Sequence, residues 1–482
     1  MPYTPPLRDF AFILDHVVGF QQVRDTDRFA EATADTVQAI LSEGGRLNAE
    51  VIAPLRRPGD VTPSRLENGA VVSPPGYAEG FRALADGGWI GISAAPEFGG
   101  MGMPQTVSTA FYEMMAAACL SLQMNPLLTQ GQIEALEHHA SDALKALYLP
   151  KLISGEWSGT MNLTEPQAGT DVGALRSKAE PQADGSYRVT GQKIYISWGD
   201  CDFTQNVCHL VLARLPDAAP GSKGISLFLV PKIIPNADGT LGAPNSLRVV
   251  SLEHKLGIHG SPTCVMEYDG ATGWLVGAPH RGLAAMFTMM NNARVGVGVQ
   301  GIGVAEGAYQ HALAYARDRK QGPTAKGATA IIDHPDIRRQ LAIMRAEIFA
   351  ARAIAMANCV AIDMATATGG ADWAARAGWL TPITKVYGTE TGIAVSDMGI
   401  QIHGGMGFIE ETGAAQFLRD VRVTAIYEGT NAIQALDLVG RKLGDGGKAA
   451  FALLDEMMFE GEEGGIDEGA RGLARQQMAS AC

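Results

Sequence analysis

The chain has 482 residues, 46% of them hydrophobic and 18% charged, with a formal net charge of −13. That length leaves room for several domains and large cores, and the composition is that of a soluble globular protein. An acidic chain without a basic patch is a poor candidate for nucleic-acid binding, because phosphate repels it.

The first residues, MPYTPPLRDFAFILDHVVGF, set Arg8, Asp9 and Asp15 among apolar neighbours, which does not fit a secretory signal. No run of 18 apolar residues follows, so no membrane-spanning helix is expected. To about residue 157 the pattern is helical. TDRFAEATADTVQAILSEGGRL, STAFYEMMAAACLSL and IEALEHHASDALKALYLPKLISG repeat apolar residues at helical spacing, with the Gly/Pro loop GWIGISAAPEFGGMGMPQ between. Over 158–278 the period changes. SYRVTGQKIYIS, NVCHLVLAR, GISLFLVPK and PTCVMEYDG predict short antiparallel strands divided by turns such as Ala183-Asp184-Gly185. Helical spacing returns over 279–445 in GAYQHALAYARDR, HPDIRRQLAIMRAEIFAARAIAMANCVAIDMATA and TPITKVYGTETGIAVSDMGIQ, and an antiparallel bundle is the economical arrangement. The acidic, glycine-containing segment 446–482 is expected to be a loosely ordered tail rather than the weak helix with a solvated face that DEMMFEGEEGGIDEGARG could also form.

Several common chemistries lack their motifs. The six cysteines form no C-x-x-C, and their spacing suggests reduced thiols rather than a disulfide framework or metal clamp. His138-His139 has no third ligand in view, so no metal site is expected. H-E-x-x-H and G-x-S-x-G are absent. Gly296-Val297-Gly298-Val299-Gln300-Gly301 is a formal G-x-G-x-x-G. A dinucleotide cradle, however, needs a strand before it and a βαβ unit around it. Helical sequence lies on both sides here, so Gly296, Gly301, Ala305 and Ala308 read as a small-residue stripe for close helix packing.

Two segments carry chemistry. Met161 to Asp171 (MNLTEPQAGTD) joins the helical and β zones and is rich in hydroxyls and small residues. It suits either an anion or heterocycle site or an ordinary capped turn. Ala425 to Asn431 (AIYEGTN) puts Glu428 just ahead of a helix that Thr430 or Asn431 would cap. In an apolar cleft that carboxyl would titrate in the range of a general base; in water it would be a helix-favoured surface acid.

LTEPQAGTD, GQKIYIS, QIHGGMGF and IYEGTN, in that order, resemble the acyl-CoA dehydrogenase family of flavoproteins over nearly all of residues 80 to 445. EHKLGIHGSPTCV, DGATGWLVG and IIDHPDIRR are similar to a longer bacterial branch that includes the 3-(methylthio)propionyl-CoA dehydrogenases. The resemblance implies an α+β multidomain fold. Its parts are an N-terminal α-helical domain (1–157, with 1–40 an extra segment), a middle antiparallel β-barrel or sandwich (158–278), a C-terminal four-helix bundle (279–445) and the tail (446–482).

It also implies FAD-dependent α,β-dehydrogenation of an acyl-CoA thioester to the trans-2-enoyl-CoA. Glu428 matches the catalytic base, which takes the α-proton while hydride passes to flavin N5. Its backbone N–H and a ribityl hydroxyl would hold the thioester oxygen. Met161, Leu163, Thr164, Gly169, Thr170, Tyr195, Ser197 and Thr430 match cofactor contacts. Arg319, Gln401, Gly404 and Gly405 match contacts to the FAD of a neighbouring subunit. Thr170, Asn291, Arg294 and Gly429 match substrate contacts. The implied partners are electron-transferring flavoprotein and further copies of the chain, as a homodimer or dimer of dimers, in the cytoplasm. An acyl-CoA oxidase using O₂ and a non-catalytic relative are the alternatives.

Departures from the family pattern are Gly322 and Pro323 after the family arginine, Pro335 after His334, and Asn291 in place of an acid. About 40 residues follow Arg441 where that branch usually carries another helical domain.

Overall fold

The computed structural model describes residues 3–324, 327, 329–444 and 446–463. Helices α1 (Leu7–His16), α2 (Ala34–Leu47), α3 (Tyr77–Asp86), the long α4 (Gln105–His139) and α5 (Asp142–Ile153) follow in order; α2 and α5 pack on α4, and α1 packs on α2. Local capping follows the sequence: the Thr33 hydroxyl accepts from Thr36 N at 3.2 Å, and Ser141 does the same for Leu144 N at 3.4 Å. Almost every side chain of α4 is buried. The helix is broken once, at Cys119, where the backbone is extended.

Besides two small hairpins (Arg65–Glu67 with Ala70–Val72, and Ile233–Pro235 with Leu241–Pro244), the main sheet consists of β1 (Trp157–Asn162), β2 (Lys178–Pro181), β3 (Tyr187–Ser197), β4 (Asn206–Arg214), β5 (Ile225–Pro231), β6 (Leu247–Leu252) and β7 (Thr263–Val276). β7 pairs with β3, β3 with β2, β2 with β4, β4 with β5, and β5 with β7. The five strands therefore close into a barrel, filled by residues such as Val189, Val211, Phe228, Met266 and Tyr268. Closure leaves those five strands without an edge, while β1 and β6 each pair on one side only. The expectation of purely antiparallel strands is corrected: β1 pairs with β4 in parallel from Trp157↔Asn206 to Asn162↔Val211. A parallel pair needs a long connection, and β2 and β3 supply it.

The C-terminal part is built on α6 (Gly282–Asp318), α7 (Pro335–Thr368) and α8 (Ala371–His403), with the short α9 (Ala414–Val421) and α10 (Asn431–Asp437) against them. The G-x-G-x-x-G lies in the buried middle of α6. A Cβ at Gly298 would come within 2.5 Å of Thr384 O, and one at Gly301 within 2.2 Å of Gly388 O. A Cβ at Gly388 would in turn meet Gly298 O at 2.3 Å. The glycines are absent side chains that let two backbones touch. Gly296, assigned to the same stripe, faces Leu127 of α4 instead. Contacts rise together along both helices, from 298/384 to 301/388, so α6 and α8 run parallel. Two reversals, through α7, make the first and third helices of an antiparallel bundle parallel.

α7 has an 18-residue window of mean hydropathy 1.5, enough by length and composition to cross a membrane, but 61% of that window is buried inside the protein. It also carries the fully buried Arg352, which donates to Glu113 at 2.7 Å, Glu306 at 2.9 Å and Asp9 at 3.0 Å. These bonds tie α1, α4, α6 and α7 together. The tail expectation is also corrected, since α11 (Lys448–Glu463) is helical. KAAFALLDEMM is made largely of strong helix formers, and they outweigh the acidic, glycine-containing composition of the segment. Residues 464–482 lie outside the described residues.

Gly301→Ala is expected to force α6 and α8 apart and destabilise the protein by about 1–3 kcal/mol, the usual cost of overpacking. Gly440→Ala, where a Cβ meets nothing within 4 Å, is the control. Thermal unfolding of both variants checks this: a lower midpoint for the first, little change for the second.

Candidate functional site

Glu428 stands on unusual backbone. Its φ is +56°, and Gly429 follows at +84°. Glycine takes that conformation freely, whereas a glutamate is strained there. Two contacts hold the turn: the Thr430 hydroxyl caps α10 by accepting from Ile433 N at 3.4 Å, and Gln434 Nε2 donates to Glu428 O at 3.0 Å. Thr430, matched to cofactor contacts, therefore also serves as the helix cap.

The turn leaves Glu428 with free groups. Its Oε2 is buried and has no hydrogen-bond partner. Its backbone N–H makes no hydrogen bond among the described residues. Burial raises the carboxyl to about 7, against the opposing pull of Arg294 and Lys385.

Those two cations come from α6 and α8. Arg294 is buried, reaches Asp437 at 3.6 Å and leaves its Nε unpartnered. Lys385 is fully buried, donates to Asn431 Oδ1 at 2.7 Å, and is pulled down to about 8 by burial. Tyr427, beside the glutamate, donates to Gln300, which in turn donates to Gln123 at 2.6 Å. A cavity of about 360 Å³ opens beside Arg294, with Asn291, Asn292, Glu134, Asp437 and Lys442 in its lining. Both substrate-contact residues assigned on α6, Asn291 and Arg294, thus share one polar cavity with an unfilled guanidinium donor.

A second group forms at the end of β1. Met161 lies in that strand and Leu163 just beyond it. The following loop is held by a buried ion pair: Lys193 Nζ donates to Glu165 Oε1 at 2.9 Å and to Leu163 O at 3.0 Å. Ser177 Oγ reaches the same carboxylate oxygen at 2.6 Å, and Arg176 N reaches the other at 2.7 Å. Burial pushes the Glu165 carboxyl up, but Lys193 and these donors outweigh it and hold it at about 2. Above the ordinary carboxylate range near 4.5 the stabilisation is complete, and it is lost as pH falls toward about 2.

On this anchored loop the Thr164 and Thr170 hydroxyls make no hydrogen bond among the described residues, and Gly169 is exposed with open space around it. In β3, Ile194 and Tyr195 together oppose one residue of β7, a bulge that puts Tyr195 at φ +60° and leaves its ring 62% exposed. Ser197 closes the strand, paired with Thr263. Free hydroxyls, an open glycine and an outturned aromatic beside one loop fit a flat, polar, phosphate-bearing cofactor such as FAD.

The third group is separate. Arg319 ends α6, and Gln401, Gly404 and Gly405 end α8. A 4.4 Å stack of Tyr315 on His403 brings these helix ends together. All four residues are exposed, no Cβ at Gly404 or Gly405 would meet anything within 4 Å, and Phe408 beside them is 87% exposed. No hydrogen bond joins this group to the Met161–Thr170 loop among the described residues.

The sequence did not single out Lys193, Lys385, Gln300 or Gln434. The available signal was a lysine at an inward position of an alternating strand, and polar residues on an otherwise small and apolar helix face.

The chain matches the acyl-CoA dehydrogenase N-terminal domain over residues 67–156, the middle domain over 160–271 and the C-terminal domain over 280–443. It is 49% identical to 3-methylmercaptopropionyl-CoA dehydrogenase of Ruegeria pomeroyi, over 99% of this chain and 82% of that protein. It is 34% identical to a butyryl-CoA dehydrogenase of Syntrophomonas wolfei, over 91% and 75%. Among solved structures, butyryl-CoA dehydrogenase from Megasphaera elsdenii shares the fold with a TM-score of 0.72 at 23% identity, covering 85% of this chain and 99% of that one. Caenorhabditis elegans ACDH-11 in complex with C11-CoA shares it at 0.76 and 23%, covering 92% and 75%.

Glu165→Gln is expected to leave Lys193 buried without its counter-charge and to cost about 3–5 kcal/mol. Adding Lys193→Met should return part of that loss. A double-mutant cycle on thermal unfolding measures it; additive losses would contradict a coupled pair.

Proposed function

Because the chain belongs to the acyl-CoA dehydrogenase family of FAD flavoproteins, we propose that Glu428 is the base that takes the α-proton of an acyl-CoA thioester. One observation carries this: a buried carboxylate oxygen and a backbone N–H, both without partners, on one strained residue. A base is most useful when its pKa lies near the working pH, and burial brings Glu428 there. The free N–H is an oxyanion donor for the thioester oxygen as negative charge moves onto it. Substrate closing over the carboxyl would keep water from it.

FAD, when bound, supplies the hydride acceptor for the β-carbon, so that the product is the trans-2-enoyl thioester. Met161, Leu163, Thr164, Gly169, Thr170, Tyr195 and Ser197 would hold it, with Thr430 nearby. Arg319, Gln401, Gly404 and Gly405 would reach it from a second copy of the chain, which accounts for their exposure and their separation from the loop. A dimer or dimer of dimers then follows. Arg294, Asn291, Thr170 and Gly429 would orient the thioester and its CoA arm.

The relative from Ruegeria pomeroyi suggests 3-methylmercaptopropionyl-CoA as the substrate, with electron-transferring flavoprotein as the acceptor. Turnover with that flavoprotein should far exceed turnover with O₂; the reverse result would make the protein an oxidase.

Glu428→Gln should keep FAD yet lose about 10²–10⁴-fold in the rate at which acyl-CoA bleaches the flavin under anaerobic conditions. Bleaching at the parent rate would remove Glu428 from the role.

A further inference from the structure

A groove of about 880 Å³ lies between the N-terminal segment and the bundle, away from Glu428 and Arg294. It is framed by residues 3–12, by Arg56, by one face of α6 from Glu306 to Arg317, and by Phe417 of α9. Its charges do not cancel. Asp9 and Glu306 are consumed by Arg345 and Arg352. Arg8, Arg56 and Arg317 have no ion pair among the described residues. Three guanidiniums without an ion pair therefore line one concavity of a chain whose formal net charge is −13.

Arg56 is the most telling of them. It lies over the Phe417 ring at 3.8 Å, and burial pulls it down to about 10. Asp420 and Asp60 act on it electrostatically but form no ion pair with it, so its guanidinium can still take a ligand anion. The Tyr3 hydroxyl, also in the lining, is buried and has no partner. Part of the remaining lining is aromatic. Phe12 is 52% exposed at the rim, with its ring 6.1 Å from that of Phe349, and Tyr309 stands on the α6 face. The volume falls within the usual range for small-molecule sites and exceeds what a bare inorganic ion needs. Guanidiniums suit phosphate oxygens, and they and the rings suit the flat face of a base.

We propose that this groove is a binding site for a nucleoside diphosphate, separate from the cavity beside Arg294. The phosphates lie among Arg8, Arg56 and Arg317, and the base lies on the aromatic wall formed by Phe12, Tyr309 and Phe349. Salt weakens such binding, because Arg8 and Arg317 are exposed.

The test is equilibrium dialysis of labelled ADP against FAD-saturated enzyme, so that the flavin site is filled. It is run alone and with excess acyl-CoA, with pyrophosphate and adenosine as separate competitors. Saturable binding that persists with acyl-CoA present, weakens in salt, and falls roughly tenfold or more in Arg317→Glu supports the site. Arg56→Gln should lose binding as well; should it fail to fold, the exposed Arg317→Glu and Arg8→Glu variants decide the matter. No saturable ADP binding, full displacement by acyl-CoA, or unchanged affinity in Arg317→Glu and Arg8→Glu overturns the proposal.

Discussion

The structure turns on one half-buried carboxyl group with an oxygen that neither water nor a hydrogen-bond partner reaches. Glu428 Oε2 is buried and unbonded, on backbone that a glutamate adopts only when its surroundings impose it. An isolated buried carboxylate is expensive, so the group moves toward its neutral form. Arg294 and Lys385 limit that movement, which leaves the carboxyl at about 7 rather than far above it. A base that is both partly ionised near neutrality and strong enough to pull a proton from carbon needs this balance.

The bundle supplies the balance through helix packing. Arg294 precedes the glycine run in α6, and Gly298 of that run would place a Cβ 3.1 Å from the Cα of Lys385 in α8. The same absent side chains that let the helices touch thus bring both cations to one side of the bundle. The capped α10 then presents the turn of residues 427–430 to them, with Gln434 gripping the turn from behind. Away from the bundle, the Glu165–Lys193 pair fixes the loop that carries Thr164 and Thr170. The bulge in β3 faces Tyr195 outward. The loop leaves β1, which is hydrogen-bonded along its length to β4 of the closed ring.

Much of this was legible in the chain. Helical and alternating periods mark the succession of helices, strands and helices, because each period reports which side of an element is buried. The refusal of the G-x-G-x-x-G as a cradle follows from its helical flanks and agrees with the packing of Gly298 and Gly301. Glu428 stood out through its place before a cap. What escaped was long-range pairing. The parallel β1–β4 ladder joins segments separated by two strands, and the Glu165–Lys193 pair joins residues 28 apart. Gly296 facing Leu127 rather than α8 depends on which helix lies on which side, and periodicity does not encode that. The helix Lys448–Glu463 was ranked below a loose tail because acidic and glycine content was weighed over local propensity.

The central claim, a buried carboxyl acting as base, is tested most directly by the pH dependence of flavin reduction. Acyl-CoA at concentrations below saturation is mixed with the enzyme under anaerobic conditions, and the bleaching rate is followed across the neutral range. Deprotonated Glu428 is the active form, so the rate should be low on the acid side and rise with pH through about 7. A rise completed near the ordinary carboxylate value of about 4.3, or a profile flat through neutrality, would contradict it.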